Sequence, residues 1–276
     1  MGQLDGRVAL VTGGARGQGR SHALALAAEG ATVIACDIAD QIASVPYPLA
    51  SARDLDETVA ALRALGERHR GAVVDVRKTD QVDALVDEII AEFGRIDILV
   101  ANAGICGFCE VDQISDENWT DMIDTNLGGA FRCIRAVLPH MKRQRYGRIV
   151  TTSSGAGRAG MQNLGHYVAS KWGLIGLTKT VALEVAQLGI TANAICPTTV
   201  ATPMVLNEAT YRVFCPNIEN PTLEDARPGL EGLSPMRVAW LEPEDVTRAV
   251  LYLVTDPGYT SGTVIEVNLA SSAGRT

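Results

Sequence analysis

Short runs dominated by Val, Ile, Ala and Leu recur along the chain at Val8–Thr12, Thr32–Cys36, Ala72–Asp75, Ile98–Ala101, Arg148–Thr152, Thr191–Ile195 and Thr263–Val267. Most are apolar at consecutive rather than alternate positions, which is the mark of strands covered on both faces in a parallel sheet. Between them the apolar spacing predicts helices at Gly19–Glu29, Leu55–Arg68, Gln81–Phe93, Asn118–Gln144, His166–Leu188 and Pro243–Val254. Strand and helix alternate from one end to the other, so the pattern predicts a doubly wound α/β fold, a seven-stranded parallel sheet with helices on both faces. No internal repeat or linker divides it, and residues 1–276 read as one domain.

Two stretches break the alternation. Residues 38–54 form a polar, proline-bearing segment with Pro46 and Pro48, about twice the length of an ordinary strand-to-helix loop, and read as an insertion. Residues 203–242, rich in Pro and Asn, separate the sixth strand from the last helix. Loops at the carboxyl ends of such strands are where ligands bind, so this second stretch is read as a substrate lid.

With 276 residues, 47% hydrophobic and 20% charged, the chain is too apolar for a disordered protein. A net charge of −8 with no basic run excludes the electrostatic footprint of a nucleic-acid binder. Apolar stretches such as Ala23–Ala28 and Val33–Cys36 fall far short of the roughly 20 residues needed to span a bilayer. Met1–Arg7 shows no leader pattern, and a cytoplasmic location is expected. The six cysteines, at 36, 106, 109, 133, 196 and 215, suggest no disulfide framework, and most are expected to be buried thiols. Cys106-Gly107-Phe108-Cys109 lacks a second pair, so no metal site is expected.

Candidate chemistry begins directly after the first strand, at Thr12-Gly13-Gly14-Ala15-Arg16-Gly17-Gln18-Gly19. Glycines there let the backbone turn sharply and approach a pyrophosphate, whose charge is stabilised at the N-terminus of the following helix. Asp37 ends the second strand, near the spacing expected of a carboxylate that binds the adenine ribose. Strand, loop, helix and carboxylate agree on a Rossmann dinucleotide site. Arg16 is suited to the extra phosphate of NADP, while Asp37 repels that phosphate and accepts from the free ribose hydroxyls of NAD, so NAD is favoured. A solvated Arg16, or one paired with Asp37, is the plainer alternative.

Further on, Tyr167 and Lys171 stand four residues apart at the start of a helix, so phenol and ammonium share one face. Ser153 and Ser154 end the fifth strand at the carboxyl edge of the sheet. Asn126 lies inside a predicted helix, where Asn is a poor residue and needs a reason to be present.

Taken together, the loop Thr12–Gly19, Asp75, Asn102-Ala103-Gly104, Asn126, Ser154, Tyr167 and Lys171 resemble, in order and spacing, the motifs of the short-chain dehydrogenase/reductase family over nearly the whole chain. Gly19-Arg20-Ser21-His22-Ala23, the 38–54 insertion, Cys196-Pro197-Thr198, Thr202–Asn207 and Tyr211–Pro221 look like an actinobacterial subgroup of carveol dehydrogenases, or mycofactocin-coupled oxidoreductases. The resemblance implies an NAD-dependent alcohol dehydrogenase. In it Tyr167 is the general acid/base, Lys171 holds the nicotinamide ribose and lowers the tyrosine pKa, Ser154 binds the substrate oxygen and Asn126 supports a relay water. It further implies cofactor contacts from Gly13, Arg16, Gly17, Gln18, Gly19, Asp37, Asp75, Val76, Asn102, Ala103, Gly104, Tyr167, Lys171, Pro197, Thr198, Val200 and Thr202.

By the same analogy Cys106, Phe108, Ala156, Met161, Met204, Tyr211, Phe214 and Trp240 line an apolar cleft suited to a lipophilic secondary alcohol or ketone. The subgroup implies NAD that does not exchange and electron transfer to the peptide-derived carrier mycofactocin. The helix His166–Leu188 carries only Lys171, Lys179 and Glu184 as charges and is apolar on more than one face; with the family's assembly contacts, it points to a homotetramer. Two departures stand out: Thr198-Thr199 follows Pro197 where the family has Gly, and Val267-Asn268-Leu269-Ala270 replaces a Val-Asp-Gly-Gly-like turn. The competing readings are an NADP-dependent ketoreductase of the acyl-chain type and a non-catalytic, NAD-binding redox sensor.

Overall fold

In the computed structural model, which describes residues 2–273, consecutively apolar runs form the strands β1 Val8–Thr12, β2 Thr32–Asp37, β3 Arg70–Val73, β4 Ile98–Ala101, β5 Gly147–Thr152, β6 Ile190–Pro197 and β7 Val264–Val267. They make one seven-stranded sheet in the order β3-β2-β1-β4-β5-β6-β7, with every pair parallel. Chain order reverses between β1 and β4, which register Val11 against Val100, and a crevice opens beyond their carboxyl ends. Two apolar clusters cover the two faces. One contains Leu10, Ile34, Leu99, Ile149 and Leu174; the other contains Val11, Val33, Val100, Leu26 and Val250.

The principal helices are α1 Gly17–Ala28, α2 Ala52–Arg63, α3 Thr79–Phe93, α4 Asp116–Ile123, α5 Ala130–Gln144, α6 Gly165–Val185, α7 Glu208–Phe214, α8 Leu223–Gly232 and α9 Pro243–Thr255. The expected helix at 118–144 is in fact α4 and α5 joined by a π-turn, Asp124–Gly129. Gly129 permits the bend, because a Cβ there would lie 2.5 Å from Val76 Cγ2. The wide turn faces Asn126 inward, where it is buried.

Both irregular stretches differ from expectation. The insertion ends at Ser51, whose side chain and Asp54 form the capping box of α2, so it spans 38–51 rather than 38–54. It is also not simply polar: Ile42, Val45 and Tyr47 are buried with Ile105 and Met122. The 203–242 stretch holds α7 and α8, capped by Asn207 and Thr222 and packed around Ala226, Leu230 and Ala239. Of the cysteines only Cys36, Cys133 and Cys196 are fully buried; Cys106, Cys109 and Cys215 are half-buried, and all six are free. No helix among the described residues is long and apolar enough to cross a membrane.

Candidate active site

Gly13 and Gly17 adopt left-handed φ of +64° and +56°, which only glycine takes without strain. At Gly19 a Cβ would stand 1.9 Å from the Gly13 carbonyl oxygen, so the loop folds against the first turn of α1 only because no side chain intervenes. Since α1 starts at Gly17, two residues earlier than the periodicity predicts, the last glycines of the loop are themselves the free amino end of the helix. Asn102 holds the loop from behind, its Nδ2 donating to the Thr12 and Gly13 carbonyls at 3.1 and 3.3 Å. Thr12 Oγ1 in return accepts from the Asn102 and Ala103 N–H groups.

Asp37 closes the outer side. Its carboxylate accepts from Ala15 N–H at 3.1 Å. Burial raises its pKa, opposed by bonds from Ala15, Ala39 and Ile38 N–H and by the nearby Arg16 charge. Arg16 is half-buried and makes no salt bridge with Asp37; its guanidinium donates to the Pro48 carbonyl and ties the glycine loop to the insertion. Asp75 is gripped by Arg77, which also bridges to Asp121 at 2.7 Å.

At the other end, Lys171 Nζ donates to the Thr152 carbonyl at 2.8 Å and lies 5.5 Å from the centre of the Tyr167 ring. Ser154 caps a short 3₁₀ turn at Gly155–Gly157, accepting from Ala156 N–H at 3.1 Å. Asn126 Oδ1 accepts from Ile105 N–H at 2.8 Å, while its Nδ2 donates to Ile105 O and Ser170 Oγ. A Cβ on Gly104 would stand 3.2 Å from Asn126 Oδ1 and 3.4 Å from Lys171 Nζ, so glycine keeps the gap between them open.

Burial sets the charges. It raises the Tyr167 pKa, with a hydrogen bond from Ser154 working in the other direction, and lowers Lys171 to about 8. Cys106, pushed up to about 12 by burial, is a neutral thiol.

Every residue expected to bind cofactor, together with Ser154, lines one cavity of about 560 Å³ that runs from the glycine loop to Tyr167. Asn126 does not line it and acts from behind Ile105. Of the expected substrate residues, Cys106, Phe108, Ala156, Met161, Met204 and Phe214 line the cavity. Tyr211 and Trp240 do not; they pack against the small core of α8 instead.

Sequence reasoning missed Ile42, Tyr47 and Leu49 of the insertion, as well as Gln162 and Leu230. The signal for the first three was present, in the apolar residues spaced through 38–49. The cavity suits a dinucleotide by its glycine cradle and by polar atoms left without protein partners, Gln18 Oε1 and Thr125 Oγ1, both on lining residues.

Comparison with known proteins identifies the family. The short chain dehydrogenase family model matches residues 7–211. A (−)-trans-carveol dehydrogenase of Rhodococcus erythropolis is 42% identical over 276 residues, 99% of each chain. The crystal structure of a carveol dehydrogenase from Mycobacterium avium in complex with NAD superposes with a TM-score of 0.96 at 40% identity, covering 99% of this chain and 100% of that one. A short chain dehydrogenase from Mycobacterium paratuberculosis bound to NAD has a TM-score of 0.89 at 36% identity, covering 99% and 100%.

Proposed function

Because the chain belongs to the short-chain dehydrogenase/reductase family, we propose that it is an NAD-dependent oxidoreductase that converts lipophilic secondary alcohols to ketones. The observation that carries this reading is the single cavity shared by the glycine cradle, Asp37, Ser154, Tyr167 and Lys171. A nicotinamide held by Lys171, Pro197 and Thr198 would supply the acceptor for the hydride of the carbinol carbon. Ser154 orients the alcohol oxygen, and Tyr167 takes its proton as the ketone forms. A phenol near pKa 10 brought toward neutrality needs about 4 kcal/mol of preferential phenolate stabilisation. The Lys171 ammonium beside the ring supplies part of it, against the burial that raises the phenol. Asn126, held by Ile105 and Ser170, flanks the gap above Gly104 and is suited to carry a water that returns the proton toward solvent.

The alcohol class follows from the lining. Phe108, Met161, Met204, Val213 and Phe214 leave an apolar chamber around Ser154 and Tyr167, matching a terpenoid-like alcohol better than a sugar. Asp37, at the nucleotide end of the cavity, repels a 2′-phosphate and accepts from free ribose hydroxyls, which favours NAD over NADP.

The insertion borders the same cavity through Ile38, Ile42, Tyr47, Leu49 and Ala50, so we assign to it the retention of NAD between turnovers, with electrons leaving to a separate carrier of the mycofactocin type. Trp172 and Leu183 on α6, with Trp119 and Phe131 on α4 and α5, are exposed and suited to self-association as a homotetramer.

Two measurements test the reading. Tyr167→Phe keeps the ring and removes the exchangeable proton, so single-turnover hydride transfer should fall by about 10²-fold or more. Purified protein should carry NAD through gel filtration and be reduced by substrate once unless an artificial electron acceptor is present. Steady turnover on added free NAD, with none bound after purification, would refute the retained cofactor.

A further inference from the structure

The insertion reaches past the nucleotide end of the cavity to the reacting end, through Tyr47. This side chain is only 5% exposed and packs with Ile42, Val45, Ile105 and Met122 in an apolar cluster on which Tyr167 and Met204 rest. Its phenol oxygen accepts from Cys106 N–H at 3.1 Å. Residues 105–108, which carry the loop beyond β4 along the cavity, have no regular structure of their own. Two consecutive N–H groups of that loop are each held by one side chain, Ile105 by Asn126 from the π-turn and Cys106 by Tyr47 from the insertion.

Tyr47 is itself over-determined. Pro46 and Pro48 flank it and restrict the backbone on either side. Its carbonyl accepts from Gln41 Nε2 at 3.2 Å, and Arg16 holds the next carbonyl. A residue fixed this firmly, in the cluster on which Tyr167 rests, is built to set the position of what packs against it.

We propose that Tyr47 is a positioning residue for the transfer step: its ring closes one side of Tyr167 against water, and its hydroxyl fixes the Cys106 backbone that walls the substrate end. The inference rests on the reading of Tyr167 as the proton acceptor and adds a second duty for the insertion besides covering the nucleotide. Placement matters at this step because a displacement of about 1 Å in a reacting group can cost about 10²-fold in rate. The groups that face Tyr167 are Lys171 on its own helix, Cys106 from the β4 loop, Ser154 from the end of β5, Cys196 on β6 and Tyr47 itself. Burial is the main cause holding the Tyr167 phenol above its ordinary range, so admitting water on the Tyr47 side should lower its titration.

The test is single-turnover hydride transfer by the NAD-loaded protein as a function of pH, in Tyr47→Ala and Tyr47→Phe, with bound NAD counted in each preparation. Tyr47→Ala should lose about 10-fold or more in rate at equal NAD occupancy, and the midpoint of its pH profile should move down. Tyr47→Phe restores the ring and should return the midpoint to the unmodified position, yet remain slower because the Cys106 N–H has lost its acceptor. An alanine variant with unchanged rate and midpoint at equal occupancy would overturn the proposal, as would a phenylalanine variant that matches the unmodified protein in full. Should the alanine variant fail to fold, the phenylalanine variant still decides the role of the hydroxyl. Retention of activity by Tyr167→Phe would instead bring down the underlying reading, a separate and recognisable failure.

Discussion

Replacing Asp37 by Asn tests how the cleft chooses its nucleotide. The carboxylate sits at the mouth of the glycine loop, pinned by Ala15 N–H at 3.1 Å. A 2′-phosphate placed about 4 Å away would be repelled by about 1 kcal/mol per unit of phosphate charge in a water-like medium and by about 4 kcal/mol at an effective dielectric near 20. Removing the charge should therefore shift the ratio of NAD to NADP affinity toward NADP by about 5-fold to about 10³-fold for each unit of phosphate charge. Asn serves better than Ala because alanine would leave Ala15 N–H without its acceptor, at about 1–3 kcal/mol.

Binding of NADH and NADPH to nucleotide-stripped protein, followed by cofactor fluorescence, gives the ratio directly. Burial raises the Asp37 pKa, so protonation sets in at a higher pH than for an ordinary Asp. In the unmodified protein the preference for NAD should fade as pH falls through that raised range, while Asp37→Asn should show no such dependence. Equal affinity for the two nucleotides in the unmodified protein at pH 7, or an unaltered ratio in the variant, would refute the argument.

Lys171→Met should abolish transfer yet raise the stability of nucleotide-free protein at pH 7 by up to a few kcal/mol, since a buried ammonium is removed. With a folded pKa of about 8, below the ordinary 10.5, this lysine binds fewer protons folded than unfolded; its contribution to stability rises with pH between those values and is absent in the variant, as urea titrations across pH would show. Gly19→Ala should eliminate nucleotide binding, because its Cβ would fall 1.9 Å from Gly13 O and force the cradle apart; dialysis against labelled NAD measures it. Ala270→Gly should raise stability by about 0.5–1 kcal/mol in thermal or urea unfolding, because Ala270 holds a left-handed φ of +64° that costs a non-glycine residue about 1–2 kcal/mol.

That last site shows what a sequence can and cannot disclose. The departure from glycine at Leu269-Ala270 was visible, but both residues keep the left-handed turn, at φ +52° and +64°, with Leu269 packed on the core and its carbonyl bonded by Ser234. The buried strands were legible to within two residues because both of their faces are apolar. The edge strand β3 was displaced by two: Arg70, Gly71 and Val73 are exposed there, while the apolar Val74 and Val76 are buried just beyond it. Helix periodicity ran straight through the π-turn, since one extra residue in a turn barely disturbs an apolar stripe; only the misplaced Asn126 marked it. Pro228 inside α8 hid that helix, and the two prolines of the insertion drew attention away from the tyrosine between them. The roles of the glycine loop and Asp37 could be proposed from spacing and those of Tyr167 and Lys171 from the family resemblance, whereas Tyr47 is a tertiary contact with no spacing rule.

The way the insertion is fastened also has a consequence in time. Swinging it away from the cleft breaks the contacts of Arg16 with Pro48, Ser44 with Asp121 and Tyr47 with Cys106, each worth about 0.5–1.5 kcal/mol net. It also brings Ile42, Val45 and Tyr47 into water, at about 1.5–3 kcal/mol for each large side chain. The backbone entropy that the freed segment regains offsets part of this cost, and the open form is a rare population reached by local unfolding rather than by loop fluctuation. A nucleotide that must wait for it would leave at a rate set by that rare population. Amide hydrogen exchange across Ile42–Leu49 and NAD release should then keep the same clock, slowing and quickening together whenever any one of these fastenings is altered.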